Sequence, residues 1–155
     1  MLIRAFIPTD IQQCLVIFDS NAPKFFDHSE REYFEQWLLR QPALNESYLV
    51  IEVTDRGVIG CGGFYILPES KEVRFAWGMI HQDFHNQGFG TALYRHREKL
   101  IKQGFPNFTL SLGTSQHTFS FYQKMGMKVT QLIPSGYGPD IDRYDMELSY
   151  PMFLS

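Results

Sequence analysis

Between residues 72 and 104 the hydrophobic period changes from that of a strand to that of a helix, and two glycines stand at the change. "EVRFAWGMIH" is an extended, β-prone run. "TALYRHREKLIKQGF" places Leu93, Arg97, Leu100 and Ile101 on one helical face, the arginine stem covering apolar surface, until Gly104 ends the pattern. "FHNQGFG" joins the two. A helix that starts there has N–H groups without intrahelical partners and the positive end of its dipole at the junction, where anions bind. Without Cβ atoms at Gly88 and Gly90, the amides from Gln87 to Thr91 are free to converge on phosphate oxygens. The same stretch also describes a turn that binds nothing. Spacing removes two other phosphate loops: Thr91 follows Gly90 with no lysine between, against GxxxxGK[ST], and Leu93 stands where GxGxxG needs its third glycine.

The flanking segments supply the rest of a mixed α/β fold. Leu2 to Ile7 reads as a strand, and "PTDIQQCLVIFDS" as a helix capped by Thr9 or Asp10. Ser29 is the expected cap of a second helix striped by Tyr33, Phe34, Trp37 and Leu38. A hairpin turns at Asp55-Arg56-Gly57. Beyond the glycine-led helix come a strand near Asn107 to Leu112, a short helix near Thr118 to Met125, and strands near Lys128 to Ile133 and Asp142 to Ser149. The expected order is βααβββαβαββ in a single domain over 1–155, without repeats.

Bulk properties narrow the function. The net charge of -3, with no basic run, argues against nucleic-acid or membrane partners and leaves small ones. Neither a secretory signal nor a membrane-length apolar run is apparent, so a cytoplasmic location is expected. Cys14 and Cys61 lie in apolar segments and read as reduced core thiols. The five histidines form no metal-binding spacing, so no metal is expected.

Two motifs together give a family resemblance. Ile80-His81 followed by His85-Asn86-Gln87-Gly88-Phe89-Gly90 resembles motif A of the GNAT N-acetyltransferase superfamily, in which [Q/R]-x-x-G-x-[G/A] opens a helix; His85 stands where relatives carry glutamine or arginine. "SQHTFSFYQKMGM" resembles its motif B, with Ser115, Thr118, Tyr122 and Gly126-Met127 at the matching positions. The resemblance implies a mostly antiparallel central sheet, splayed between strands 4 and 5 and flanked by helices. It also implies an acetyl-CoA donor, its pyrophosphate on the amides from Gln87 to Thr91 and its pantetheine in the splay, paired with main chain near Met79, Ile80 and His81 as an added strand would be. A homodimer is common in relatives.

Acyl transfer needs a deprotonated amine, a polarised thioester and a proton for the departing thiolate. Tyr122 matches the family's proton donor. Arg74 stands where relatives carry a basic carboxylate or histidine, and an arginine cannot accept a proton at neutral pH. Alternation places Glu72, Arg74, Ala76 and Gly78 on one strand face, making Glu72 the candidate base and leaving room for an acetyl group at the small residues. Either Arg74 pairs with Glu72 or it recognises an acidic group on the acceptor. The aromatic loop "NAPKFFDH" and the turn "PSGYGPDIDRYD" nominate Phe25, Phe26, Tyr137, Asp140 and Asp142 as acceptor contacts, a set suited to a cationic amine; the two phenylalanines alternatively close the core. The expected activity is acetylation of a small-molecule or peptide primary amine in a ternary complex. A catalytically weak CoA-binding sensor with the same fold is the alternative, and Arg74 is its best support.

Overall fold

The computed structural model describes residues 1–44 and 46–151. Its elements are β1 (Leu2–Ala5), α1 (Ile11–Asn21), α2 (Arg31–Leu39), β2 (Glu46–Val53), β3 (Gly57–Leu67), β4 (Glu72–Ile80), α3 (Phe89–Gly104), β5 (Phe108–Thr114), α4 (Phe119–Lys124), β6 (Lys128–Gly138) and β7 (Ile141–Tyr150), in the order the periodicity predicts. They form one seven-stranded sheet, β1-β2-β3-β4-β5-β7-β6, antiparallel except where β4 meets β5.

The alternation of β2 builds the core on both sheet faces. Tyr48 and Val50 pack against α1 and α2 through Cys14, Leu15, Phe18, Phe34 and Leu38. Leu49 and Ile51 point the other way, onto Leu93 of α3. Further along that second face, Tyr94 and Ile101 cover Val73, Phe75, Leu110 and Met146. Each fully buried Leu or Phe contributes about 1.5–3 kcal/mol, so these stripes dominate the fold. Cys14 and Cys61 are free and buried in the first cluster, where the hydrogen-bonded Cys61 thiol and burial push the Cys14 thiol up.

Two helix starts differ from expectation. Asp10 caps no amide of α1; its carboxylate takes the Ile7 amide at 2.9 Å and Arg4 Nη1 and Nη2 at 2.9 Å each. Asp27, not Ser29, is the cap ahead of α2: it accepts the Ser29 amide at 3.0 Å while Glu30 accepts the Asp27 amide at 3.0 Å, a reciprocal capping box. The aspartate wins because its carboxylate sits one position before the turn whose amides need it.

Two features of β4 shape the cleft. It pairs with β5 only from Glu72 to Arg74, against Thr109 to Ser111, and beyond those rungs the strands separate. Opposite Cys61 to Gly63 it also carries an extra residue, a bulge at which Trp77 takes φ 47°. The bulge corrects the expected alternation. Ala76 and Trp77 both pack toward the α1–α2 face, whereas Gly78 turns to α3, where a Cβ would lie 3.3 Å from Arg97 Nη1.

Candidate active site

The β4–α3 junction is held open by its own bonds. Gly88 adopts φ 88° as the N-cap of α3, with nothing within 4 Å of a Cβ placed on it, and the first helical bond runs from Ala92 N to the Gly88 carbonyl. The amides of Phe89, Gly90 and Thr91 therefore have no intrahelical acceptor. Asn86, Gln87, Gly88 and Thr91 are exposed, so the junction faces solvent. Asn86 also has positive φ, 62°, and Gln87 Nε2 donates to the Asp83 carbonyl at 3.1 Å, which fixes the loop. Such a junction has the geometry to seat an anion, with space where a side chain would intrude.

Several groups expected to meet a ligand already have partners. His85 Nε2 donates to the Ile80 carbonyl at 2.8 Å, and Asn21 Nδ2 donates to the same oxygen at 2.9 Å. The His81 amide donates to the Ile59 carbonyl at 2.7 Å, and its ring Nδ1 accepts the Asp83 amide at 3.1 Å. Met79 is buried in β4 opposite Cys61. Ser115 and Thr118 hold the turn before α4 without a side-chain cap on the helix: Ser115 Oγ takes the His117 amide at 3.2 Å, and the Thr118 hydroxyl bonds that of Thr114.

On α4, the ring of Tyr122 lies 6.4 Å from that of Tyr94, and a Cβ on Gly90 would lie 3.5 Å from the Phe121 ring. Hence the motif B helix packs against the first turn of α3. At the closed end of the splay, Ser111 Oγ donates to Glu72 Oε1 at 2.7 Å and accepts from Arg74 Nη1 at 3.2 Å. Glu72 and Arg74 are thus joined through one hydroxyl rather than paired directly.

The two segments expected to form the acceptor side do meet. A Cβ on Gly138 would fall 2.7 Å from Asp27 Oδ1, so the β6–β7 hairpin touches the α1–α2 loop. Phe25 and Phe26 divide the alternatives between them. Phe26 enters the core against Phe18 at 5.2 Å and Trp77 at 6.2 Å. Phe25 turns outward, edge-on to His85 at 5.2 Å and to His117 at 5.8 Å, and so spans the mouths of the β4 and β5 loops. The Tyr137 hydroxyl lies against Gly113 of β5; burial pushes it up to about 12, opposed by Arg143. Asp142 is committed to the hairpin, accepting the Ser135 amide at 2.9 Å, and the Asp140 carbonyl accepts Gln116 Nε2 at 2.8 Å.

Two residues the sequence reading did not place at the site emerge beside it. Burial pushes the Glu30 carboxyl up to about 7, and its charge bears on Tyr137. Its sequence signal was the Asp27-x-x-Glu30 spacing. Arg97 was read only as an apolar stem; it is 2% exposed, with its guanidinium against β3 and β4.

The fold is shared with proteins of known structure. The chain shares the fold of an aminoglycoside 6'-N-acetyltransferase complexed with coenzyme A (17% identity, TM-score 0.76, covering 100% of each chain). It is similarly close to yncA of Salmonella typhimurium with its cofactor acetyl-CoA (18% identity, TM-score 0.73, 100% of this chain and 96% of that one). A ribosomal-protein-alanine N-acetyltransferase from Brucella melitensis also matches (15% identity, TM-score 0.75, 96% and 99%). The comparison with curated protein sequences returns no match. The model of the acetyltransferase (GNAT) family matches residues 11–127, and the chain belongs to that family.

Proposed function

We propose that the protein transfers the acetyl group of acetyl-CoA to a primary amine of a small molecule or peptide, by direct attack in a ternary complex. The observation that carries this reading is the open Gly88 junction, which follows the stretch of β4 that no longer pairs with β5. The amides from Gln87 to Thr91 hold the pyrophosphate, and the separated strand edges receive the pantetheine amides. Because His85 is bonded to Ile80, it shapes the cradle rather than supplying its main donor.

In the transfer step the amine nitrogen bonds to the carbonyl carbon, the C–S bond breaks, the thiolate takes the Tyr122 hydroxyl proton, and the proton that the nitrogen sheds as the amide forms restores the phenol. Glu72, with one oxygen fixed by Ser111, removes the ammonium proton through a water. Arg74 and Tyr137 face the acceptor, with Phe25 at the channel mouth.

A second reading, a CoA-binding sensor with little turnover, is favoured by Arg74 at the position where a base is expected. Incubation with acetyl-CoA and a panel of amines, following free thiol, separates the two. Acceptor-dependent thiol release supports the transferase. Saturable CoA binding with no release from any amine supports the sensor.

A further inference from the structure

Arg74 stands on the last rung that joins β4 to β5, opposite Ser111, and so at the closed end of the gap between the two strands. Its neighbours Val73 and Phe75 are buried with α3, which turns Arg74 to the opposite face of the sheet, the side of α1 and α2. Nη1 donates to Ser111 Oγ at 3.2 Å, and Arg74 belongs to none of the ion pairs among the described residues. Glu72 does not neutralise it by direct contact, because Glu72 Oε1 is taken by the Ser111 hydroxyl at 2.7 Å. A half-buried guanidinium thus keeps most of its fork of donors unused among the described residues.

The rest of that wall offers donors as well. Ser111 and Gly113 share the face of Arg74, since Leu110 and Leu112 are buried on the α3 side. The Tyr137 hydroxyl reaches Gly113 at the point that a side chain there would fill. Burial pushes that hydroxyl up to about 12, so it stays a donor at neutral pH. Alternate residues of a strand lie about 7 Å apart, so the guanidinium seated at Ser111 and the hydroxyl seated at Gly113 are close enough to grip one small group. The hairpin's carboxylates are committed elsewhere: Asp145 Oδ1 accepts Arg143 Nε at 2.7 Å, and Asp142 Oδ1 accepts the Ser135 amide at 2.9 Å. Of the two arginines on this wall, Arg143 is therefore matched and Arg74 is not. Such a surface suits a singly charged anion, whereas the hairpin aspartates read as letters imply a cationic acceptor.

We propose that the acceptor is an amine that also carries a carboxylate, an amino acid or a short peptide, and that Arg74 selects it. The guanidinium takes the carboxylate as a two-pronged, charge-assisted pair, and Tyr137 donates to one of the same oxygens. This deepens the transferase reading and rests on it. With the carboxylate held at the last β4–β5 rung, the amine end is directed along the opening gap, where the thioester has to lie for attack. An arginine at the position where a base is expected then has a task of its own, the choice of substrate.

Matched acceptors test it: amino acids and dipeptides, each supplied with its free carboxylate and as the carboxamide, with thiol release from acetyl-CoA followed for the parent and for Arg74→Gln. For the acceptors that are used, kcat/KM should be at least about tenfold higher for the acid than for the amide. Arg74→Gln should bring the two within about threefold by raising KM for the acid, with KM for acetyl-CoA unchanged. Transfer to amides or to amines without a carboxylate as readily as to the acids overturns the proposal and leaves the transferase reading standing. So does an Arg74→Gln enzyme with the parental preference. Should Arg74→Gln not fold, Arg74→Lys keeps the charge without the fork and is expected to narrow the preference, and an unaltered preference overturns the proposal. Where no amine releases thiol, the same pairs are titrated calorimetrically into the protein in the presence of CoA. Binding of the acids alone, lost in Arg74→Gln, supports the carboxylate site and counts against transfer; equal binding of acid and amide, or none, overturns the proposal.

Discussion

Gly138 of β6 and Asp27 of the α1–α2 loop touch so closely that a Cβ on the glycine would stand 2.7 Å from Asp27 Oδ1 and 2.8 Å from Asp27 Cβ. The contact leaves no room for any side chain, and it fixes the hairpin bearing Tyr137 to the loop bearing Phe25. Gly138→Ala should displace one from the other at a stability cost of about 1–3 kcal/mol. With the acceptor wall moved, KM for the acceptor should rise about tenfold while the affinity for CoA holds. Steady-state kinetics with each substrate varied in turn check this, and an equal change in both constants would speak against separate walls.

The cradle predicts an order of effects. His85→Ala removes a ring that is bonded to Ile80, so CoA affinity should fall only about threefold. Gly88→Val puts a branched side chain at φ 88° and into the space above the amides, and the loss should exceed about a hundredfold. Calorimetric titration with CoA measures both. The reverse order would remove the backbone amides from the binding account.

Tyr122→Phe keeps the ring beside Tyr94 and deletes only the hydroxyl. A drop in kcat of about a hundredfold, with CoA affinity unchanged, is the expected result.

Glu30 links pH to stability. Burial raises its carboxyl from an ordinary 4.5 to about 7, against the opposing Asp27 amide. Between those values the unfolded chain has released the proton and the folded chain still holds it, so this group's contribution falls as pH rises through the window. Glu30→Gln keeps an acceptor for Asp27 N and removes the titration. Its melting temperature should gain on the parent between about pH 5 and about pH 8, and parallel curves would contradict the assignment.

Asp10 works in the opposite sense. Burial alone would raise its carboxyl, but Arg4 and the Ile7 amide hold it below the usual 3.8. Its contribution is present above that value and fades as pH falls through the folded-state pKa. Asp10→Ala leaves the Ile7 amide without its acceptor and Arg4 with Glu52 as its one carboxylate, and urea unfolding should show a loss of about 1–3 kcal/mol.

The element order was legible because each element carries its own period and its own stop signals, from Gly57 at the hairpin to Gly104 at the end of α3. Local signals also identified the Gly88 junction, whose chemistry lies within six consecutive residues. What stayed hidden depends on register between distant segments. Nothing near Trp77 announces positive φ; the extra residue is defined by the pairing of Ala76 with Gly63 and of Met79 with Cys61 on either side of it. Phe25 and Phe26 are equivalent as letters, and only the position of Trp77 and His85 sends one inward and one outward. Likewise the periodicity put Arg97 on the core face of α3, but the glycines that admit it are on β3 and β4.

The three rungs between Glu72–Arg74 and Thr109–Ser111 join a four-stranded leaf to a three-stranded one. Past them, two strand margins run side by side without a ladder, and their width of separation is set by how each leaf twists.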